Sequence, residues 1–215
     1  MPLFAVAILI FAVAFIVGIV VWSVKKYNKT AEESRGIISD RDLLLLINAE
    51  SDRIISAENL AKKSGLNKSQ ASMRLSSLYM SGVVKQMSSG FKSFYELKKG
   101  IDSANLLQLS EKPFISIEDL FALFEHYDHK MDLQDICVAT GLPFKVIKRE
   151  MKYFEKEGIV HHMHTYTSDG MTANRFYTLQ DAYKGEGAKA ATRNAEINLD
   201  LEKIYREEFN DEDFV

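Results

Sequence analysis

The stretch from about Asp40 to Gln86 returns 76 positions downstream without a gap, and this repeat limits what the chain can fold into more than any other feature. Leu44, Leu45 and Ile47 map onto Leu120, Phe121 and Leu123, and Leu60, Gly65 and Leu66 map onto Ile136, Gly141 and Leu142. Ala71, Leu75 and Leu78 map onto Ile147, Met151 and Phe154, and Gly82, Val83 and Val84 map onto Gly158, Ile159 and Val160. Apolar spacing and glycine persist while the polar residues change, which is the imprint of one backbone used twice. A length of 215 residues leaves room for two such small units beside other segments.

Each copy predicts the same order of elements. In the first, Leu43 to Asn48 forms an apolar helix, and a second helix opens on Ser56 as N-cap and runs to Lys63. After the turn Ser64-Gly65-Leu66, a third helix from about Asn67 to Ser81 carries Ala71, Leu75 and Leu78 on one face. Gly82 ends it, and Val83 to Gln86 and Phe91 to Leu97 form a β-hairpin around Ser88-Ser89-Gly90. The second copy runs through Leu120 to Phe124, an Asp132 cap, a Thr140-Gly141-Leu142 turn and a third helix begun by Pro143 at its first turn. Its hairpin turns at Ser168-Asp169-Gly170. Aligning Tyr95 with Tyr177 needs an offset of 82, so that hairpin is longer by six residues.

The run Gly65-Leu66-Asn67-Lys68-Ser69-Gln70-Ala71, continued through Leu75, Leu78, Gly82, Val83 and Val84, resembles the helix-turn-helix and first wing strand of MarR-, ArsR- and IclR-type winged-helix regulators. The resemblance implies two tandem winged-helix domains, at 40–99 and 116–182, joined by a linker at 100–115. In that family the third helix enters the DNA major groove and the wing touches the backbone. Winged helices also serve as protein-binding modules, so the solvent face of the third helix decides between the two uses.

In the second copy that face collects Lys145, Lys148, Arg149, Lys152 and Lys156 opposite the buried stripe, with Glu150, Glu155 and Glu157 expected on the flanks. Cations so segregated suit phosphate contact, although a merely solvated helix face is the alternative. The first copy presents Ser69, Ser72, Met73, Ser76 and Ser77 at the matching places, supported by Lys62, Lys63, Lys68 and wing Lys92. That nearly neutral surface suits hydrogen bonds to DNA or docking against protein. Arg175 is the wing candidate of the second copy.

Charge sharpens the point. Residues 40 to 110 hold 10 Lys and Arg against 7 Asp and Glu, whereas residues 111 to 185 hold 9 against 12 and the last thirty hold 4 against 9. No domain is basic overall, so a nucleic-acid surface must be a local patch.

From Leu3 to Trp22 no side chain is charged, and twenty residues at about 1.5 Å rise would span a hydrocarbon core. The expectation is a transmembrane anchor over 1–24, flanked by Trp22, Lys25 and Lys26, with a lipid bilayer around residues 3–22. Positive charge after the run would place the remaining domains in the cytoplasm, behind a juxtamembrane linker at 25–39. Such an anchor departs from the usual soluble regulator. Residues 183–215 predict a helical acidic tail, with Leu201, Ile204 and Tyr205 on one side and acids from Glu207 to Asp213 that could cover the basic helix.

Nothing in the sequence resembles a phosphate-binding loop, a nucleophile elbow or a paired-carboxylate site, so no catalysis and no cofactor are expected. His126, His129, His161, His162 and His164 lack zinc-ligand spacing, and Cys137 reads as a small packing residue in the place of Ala61. The expected chain is therefore α+β, mainly α: a membrane-anchored, cytoplasm-facing protein whose tandem winged helices bind double-stranded DNA, as a transcriptional regulator or a DNA-to-membrane tether. The alternative is a membrane-anchored scaffold binding a protein partner or a second copy of itself.

Overall fold

The computed structural model of the chain describes residues 15, 17–19, 21–22, 25, 29–30, 32–102, 107, 109, 113–166 and 172–184. The first unit runs α1 (Asp40–Asn48), β1 (Ile54–Ser56), α2 (Ala57–Ser64), α3 (Lys68–Met80), β2 (Val84–Ser89) and β3 (Lys92–Leu97). The second repeats that order: α4 (Ile117–His126), β4 (Lys130–Met131), α5 (Leu133–Thr140), α6 (Phe144–Lys156), β5 (Val160–Tyr166) and β6 (Thr172–Leu179), followed by a 3-10 turn at Asp181–Tyr183. Each unit holds a three-stranded antiparallel sheet, in the orders β1-β3-β2 and β4-β6-β5.

Local chemistry accounts for the helix boundaries. Ser39, Ser56 and Ser116 accept the backbone N–H three residues on, and Asn67 with Gln70 closes a reciprocal capping box, as Asp132 does with Asp135. Helices α2 and α5 both end on a left-handed glycine, Gly65 at φ 76° and Gly141 at φ 72°. A side chain there would crowd the following carbonyl, which explains why glycine is kept in both copies. Ala71, Leu75 and Leu78 of α3 and Ile147, Met151 and Phe154 of α6 are all buried. Each large one contributes about 1.5–3 kcal/mol by leaving water.

Strands β1 and β4 go beyond the two-stranded hairpins expected from the sequence. Ile54↔Glu96 through Ser56↔Phe94 pairs β1 with β3, and Met131↔Tyr177 pairs β4 with β6. Two or three residues are too few to show alternation, so the sequence carries no strand period there. Left-handed residues turn the chain into each of these strands: Arg53 at φ 55° before β1, and Asp128 and His129 at φ 51° and 59° before β4. The turn expected at Ser168-Asp169-Gly170 lies outside the described residues.

The units are not beads on a string. Helix α1 of the first packs on α5 of the second, and the buried apolar residues of both form one continuous cluster. Asp40 pins the seam: one carboxylate oxygen accepts from Arg74 Nη2 at 2.7 Å and the other from the Phe144 N–H at 2.9 Å. Pro143 thus stands at the N-cap of α6 and offers no side-chain cap, and an acid 104 residues away supplies one instead. Lys99 meets the Asp135 carboxylate at 2.5 Å and Asp132 at 3.3 Å, while Gln134 donates to the Lys99 carbonyl. Burial pushes the Lys99 ammonium down, but the two carboxylates outweigh it and hold its pKa above the ordinary lysine value.

The expected transmembrane anchor is corrected. Among the described residues no helix is long and apolar enough to cross a membrane. Spanning takes about 20 consecutive apolar residues, and the expected linker at 25–39 instead contains a helical stretch at 32–37 that carries Glu32, Glu33 and Arg35. Most of residues 3–22, Lys26 and the tail from residue 185 lie outside the described residues. The bilayer contact through 3–22, the flanking role of Trp22, Lys25 and Lys26, and the single-pass cell-membrane location are withdrawn with the anchor.

Candidate nucleic-acid interface

Helix α6 presents Lys145, Lys148, Arg149, Lys152 and Lys156 to solvent, on the face opposite Ile147, Met151 and Phe154. At 100° per residue Lys148 falls at the edge of that arc, and its ammonium is drawn to Ser81 Oγ at 2.9 Å, at the end of α3. Burial holds the Lys148 pKa below the ordinary lysine value, and Arg175 on β6 depresses it further.

Glu150 does not lie on a solvated flank. It is 1% exposed, and one of its oxygens accepts from Arg149 Nε at 3.1 Å. Its counterpart in the repeat is Arg74, 3% exposed and paired with Asp40. The same backbone position thus buries a charge in both units, of opposite sign. Spacing could have revealed it, because Arg74 and Glu150 stand three residues after Ala71 and Ile147, on the buried side of each helix. With Glu150 inward, Lys145, Arg149, Lys152 and Lys156 form the centre of the exposed arc, and the exposed Glu155 and Glu157 remain on its flanks.

The first unit arranges its candidates differently. Lys68, Ser69, Ser72, Met73 and Ser76 line a shallow, open depression on α3. Exposed Glu58 is bonded to Lys62 at 3.0 Å, and its pKa is lowered first by that bond and then by the field of Lys62, Lys68 and Lys92. Tyr79 and Met80 are exposed beside this face, Met80 by 74%.

On the second wing His162 stacks on Tyr177 at 4.8 Å between ring centres and lies 4.3 Å from His164. Burial and then the neighbouring His164 keep the His162 pKa below the usual histidine range. Among the described residues no group of three His, Cys, Asp or Glu is placed to hold a metal ion. Cys137 is fully buried and its thiol is pushed far up by burial, which makes it a packing group.

Asp40, Lys98, Lys99, Lys130 and Asp135 escaped the sequence reading. The contacts of Asp40 with Phe144 and of Lys99 with Asp135 depend on the docking of one unit on the other, which no local pattern encodes. No protein-family model matches the chain, and no curated protein matches it either.

Proposed function

We propose that the chain is a DNA-binding protein built from two winged helices, acting as a regulator of transcription. The reading is supported by the helix-strand-helix-helix-hairpin order of each unit and by the strand order β1-β3-β2 that sets a hairpin beside the third helix. The observation that carries it is the exposed face of α6: Lys145, Lys152 and Lys156 face outward between Arg149 and Lys148, Glu150 is turned into the core, and the exposed Glu155 and Glu157 stand on the flanks. Solubility alone does not call for such sorting of sign, whereas a phosphate backbone does. Lys145, Lys152 and Lys156 would meet phosphates, with Arg149 and Arg175 completing the strip and Lys68, Ser69, Ser72 and Lys92 adding a second contact from the first unit.

Fluorescence anisotropy on a labelled duplex at low salt tests the reading. Lys145→Glu with Lys152→Glu should weaken binding by at least about a hundredfold, since each reversal removes a phosphate contact and adds a repulsion. Binding that is absent in the parent, or equal in the variant, refutes it. A second reading, in which the first unit docks a protein partner, draws on the neutral α3 face with Tyr79 and Met80 exposed beside it. Under that reading Met80→Glu abolishes partner capture and leaves duplex affinity unchanged.

A further inference from the structure

A cleft of about 450 Å³ opens along the seam, between the Ser81-Gly82-Val83 turn with Lys98 and Lys99 on one side and the β4–α5 junction with the inner face of the second wing on the other. That volume lies in the range of small-molecule sites, roughly 300–1,000 Å³. Four cations line it, Lys98, Lys99, Lys130 and Arg175, against two acids, Asp132 and Asp135. The acids are engaged with each other's caps and with Lys99. Asp132 also acts on Lys98, and four cations against two acids leave the lining positive on balance.

Lys98 and Arg175 line the cleft from different units. Burial holds the Lys98 ammonium below the ordinary lysine range, and then Lys85 depresses it further, Asp132 draws it back up and Arg175 lowers it again. The same Arg175 depresses Lys148 behind Ser81. A dianion set between them would turn both repulsions into a shared attraction.

The repeat supplies an internal comparison. Lys98 and Gln180 hold equivalent places, each donating its backbone N–H to the residue after the repeated glycine, Val83 at 3.3 Å and Ile159 at 3.0 Å. Both side chains lie over that glycine. Only the member that lines the cleft is charged. Beside the cations Phe176 offers an apolar ring, under the Lys130 ammonium at 4.1 Å, while the Tyr177 ring is buried and stacked on His162.

We propose that the seam cleft binds a small phosphorylated molecule, with the phosphate held between Lys98 and Arg175 and the organic body against Phe176. Because the walls come from both units, the ligand cross-braces them and fixes Arg175 relative to α6. The cleft is separate from the DNA-binding face, with which it shares only Arg175.

Calorimetric titration of the full chain with phenyl phosphate and with inorganic phosphate tests it, at an ionic strength held constant with chloride. Saturable one-to-one binding is expected, tighter for phenyl phosphate. Lys98→Gln should weaken it about tenfold, the size of one lost charge-assisted contact, and Lys98→Arg should restore it. The pair Lys145→Glu and Lys152→Glu should leave phenyl phosphate affinity unchanged. An absence of saturable binding overturns the proposal, as does equal affinity in Lys98→Gln with an unchanged circular dichroism spectrum. Displacement of phenyl phosphate by a short duplex, together with a matching loss of duplex affinity in Lys98→Gln, also overturns it and gives the cleft to backbone phosphate. A chain that binds phenyl phosphate but no duplex refutes the DNA reading alone.

Discussion

Replacing Asp40 by alanine strikes the seam at its most constrained point. Asp40 is 6% exposed and Arg74 3%, so the carboxylate and guanidinium face each other with little water between them. Removing the acid strands a buried cation, at a cost of about 3–5 kcal/mol. It also strips the cap from the Phe144 N–H at the start of α6, worth about 1 kcal/mol. Both losses act through one side chain and overlap, so a total near 4 kcal/mol is expected against a whole-protein stability of about 5–15 kcal/mol. For a chain of this size the melting temperature should fall by roughly 8–16 °C. Urea unfolding followed by circular dichroism reads the change. Adding Arg74→Met to Asp40→Ala removes the stranded charge and should recover most of the loss, leaving the deficit of the cap. A single-variant loss below about 1 kcal/mol, or no recovery in the double variant, refutes the reasoning.

Two further outcomes follow from individual groups. His162 has a folded pKa below the ordinary histidine value of 6.5, so the folded state binds fewer protons than the unfolded chain as acid is added. Its share of stability is present above about pH 6.5 and is lost as pH falls through the folded value, and His162→Gln should flatten that part of a stability-against-pH curve. Gly141→Ala at φ 72° should cost about 1 kcal/mol in urea unfolding, since its left-handed backbone penalises any Cβ, while Gly36→Ala, in open space, should not.

The parts legible in the sequence are those written in local pattern. The buried stripes of α3 and α6, the caps at Ser56 and Asp132 and the turn glycines Gly65 and Gly141 follow from period, hydrogen-bonding side chains and backbone sterics, and each recurs in the second copy. Strands β1 and β4 are too short to have a period. Arg74 and Glu150 stand at core positions but carry charge, and projecting apolar residues alone put Glu150 on the wrong surface. The Asp40 hub and the seam cleft join residues up to 104 positions apart and arise only when α1 meets α5. The apolar run at residues 3–22 suggested a spanning helix by composition, and the described residues contain none long and apolar enough.

The central claim is that the outward arc of α6 contacts DNA phosphates, and the salt dependence of duplex affinity tests it most directly. Each phosphate neutralised adds about 0.9 to the slope of log affinity against log salt. Five contacts from Lys145, Arg149, Lys152, Lys156 and Arg175 would bring the parent chain to a slope of roughly 4–5, and removing two of them, by Lys145→Gln with Lys152→Gln, should lower it by about 1.8. A parent chain that binds no duplex at low salt, or a slope that stays the same in that variant, contradicts the claim.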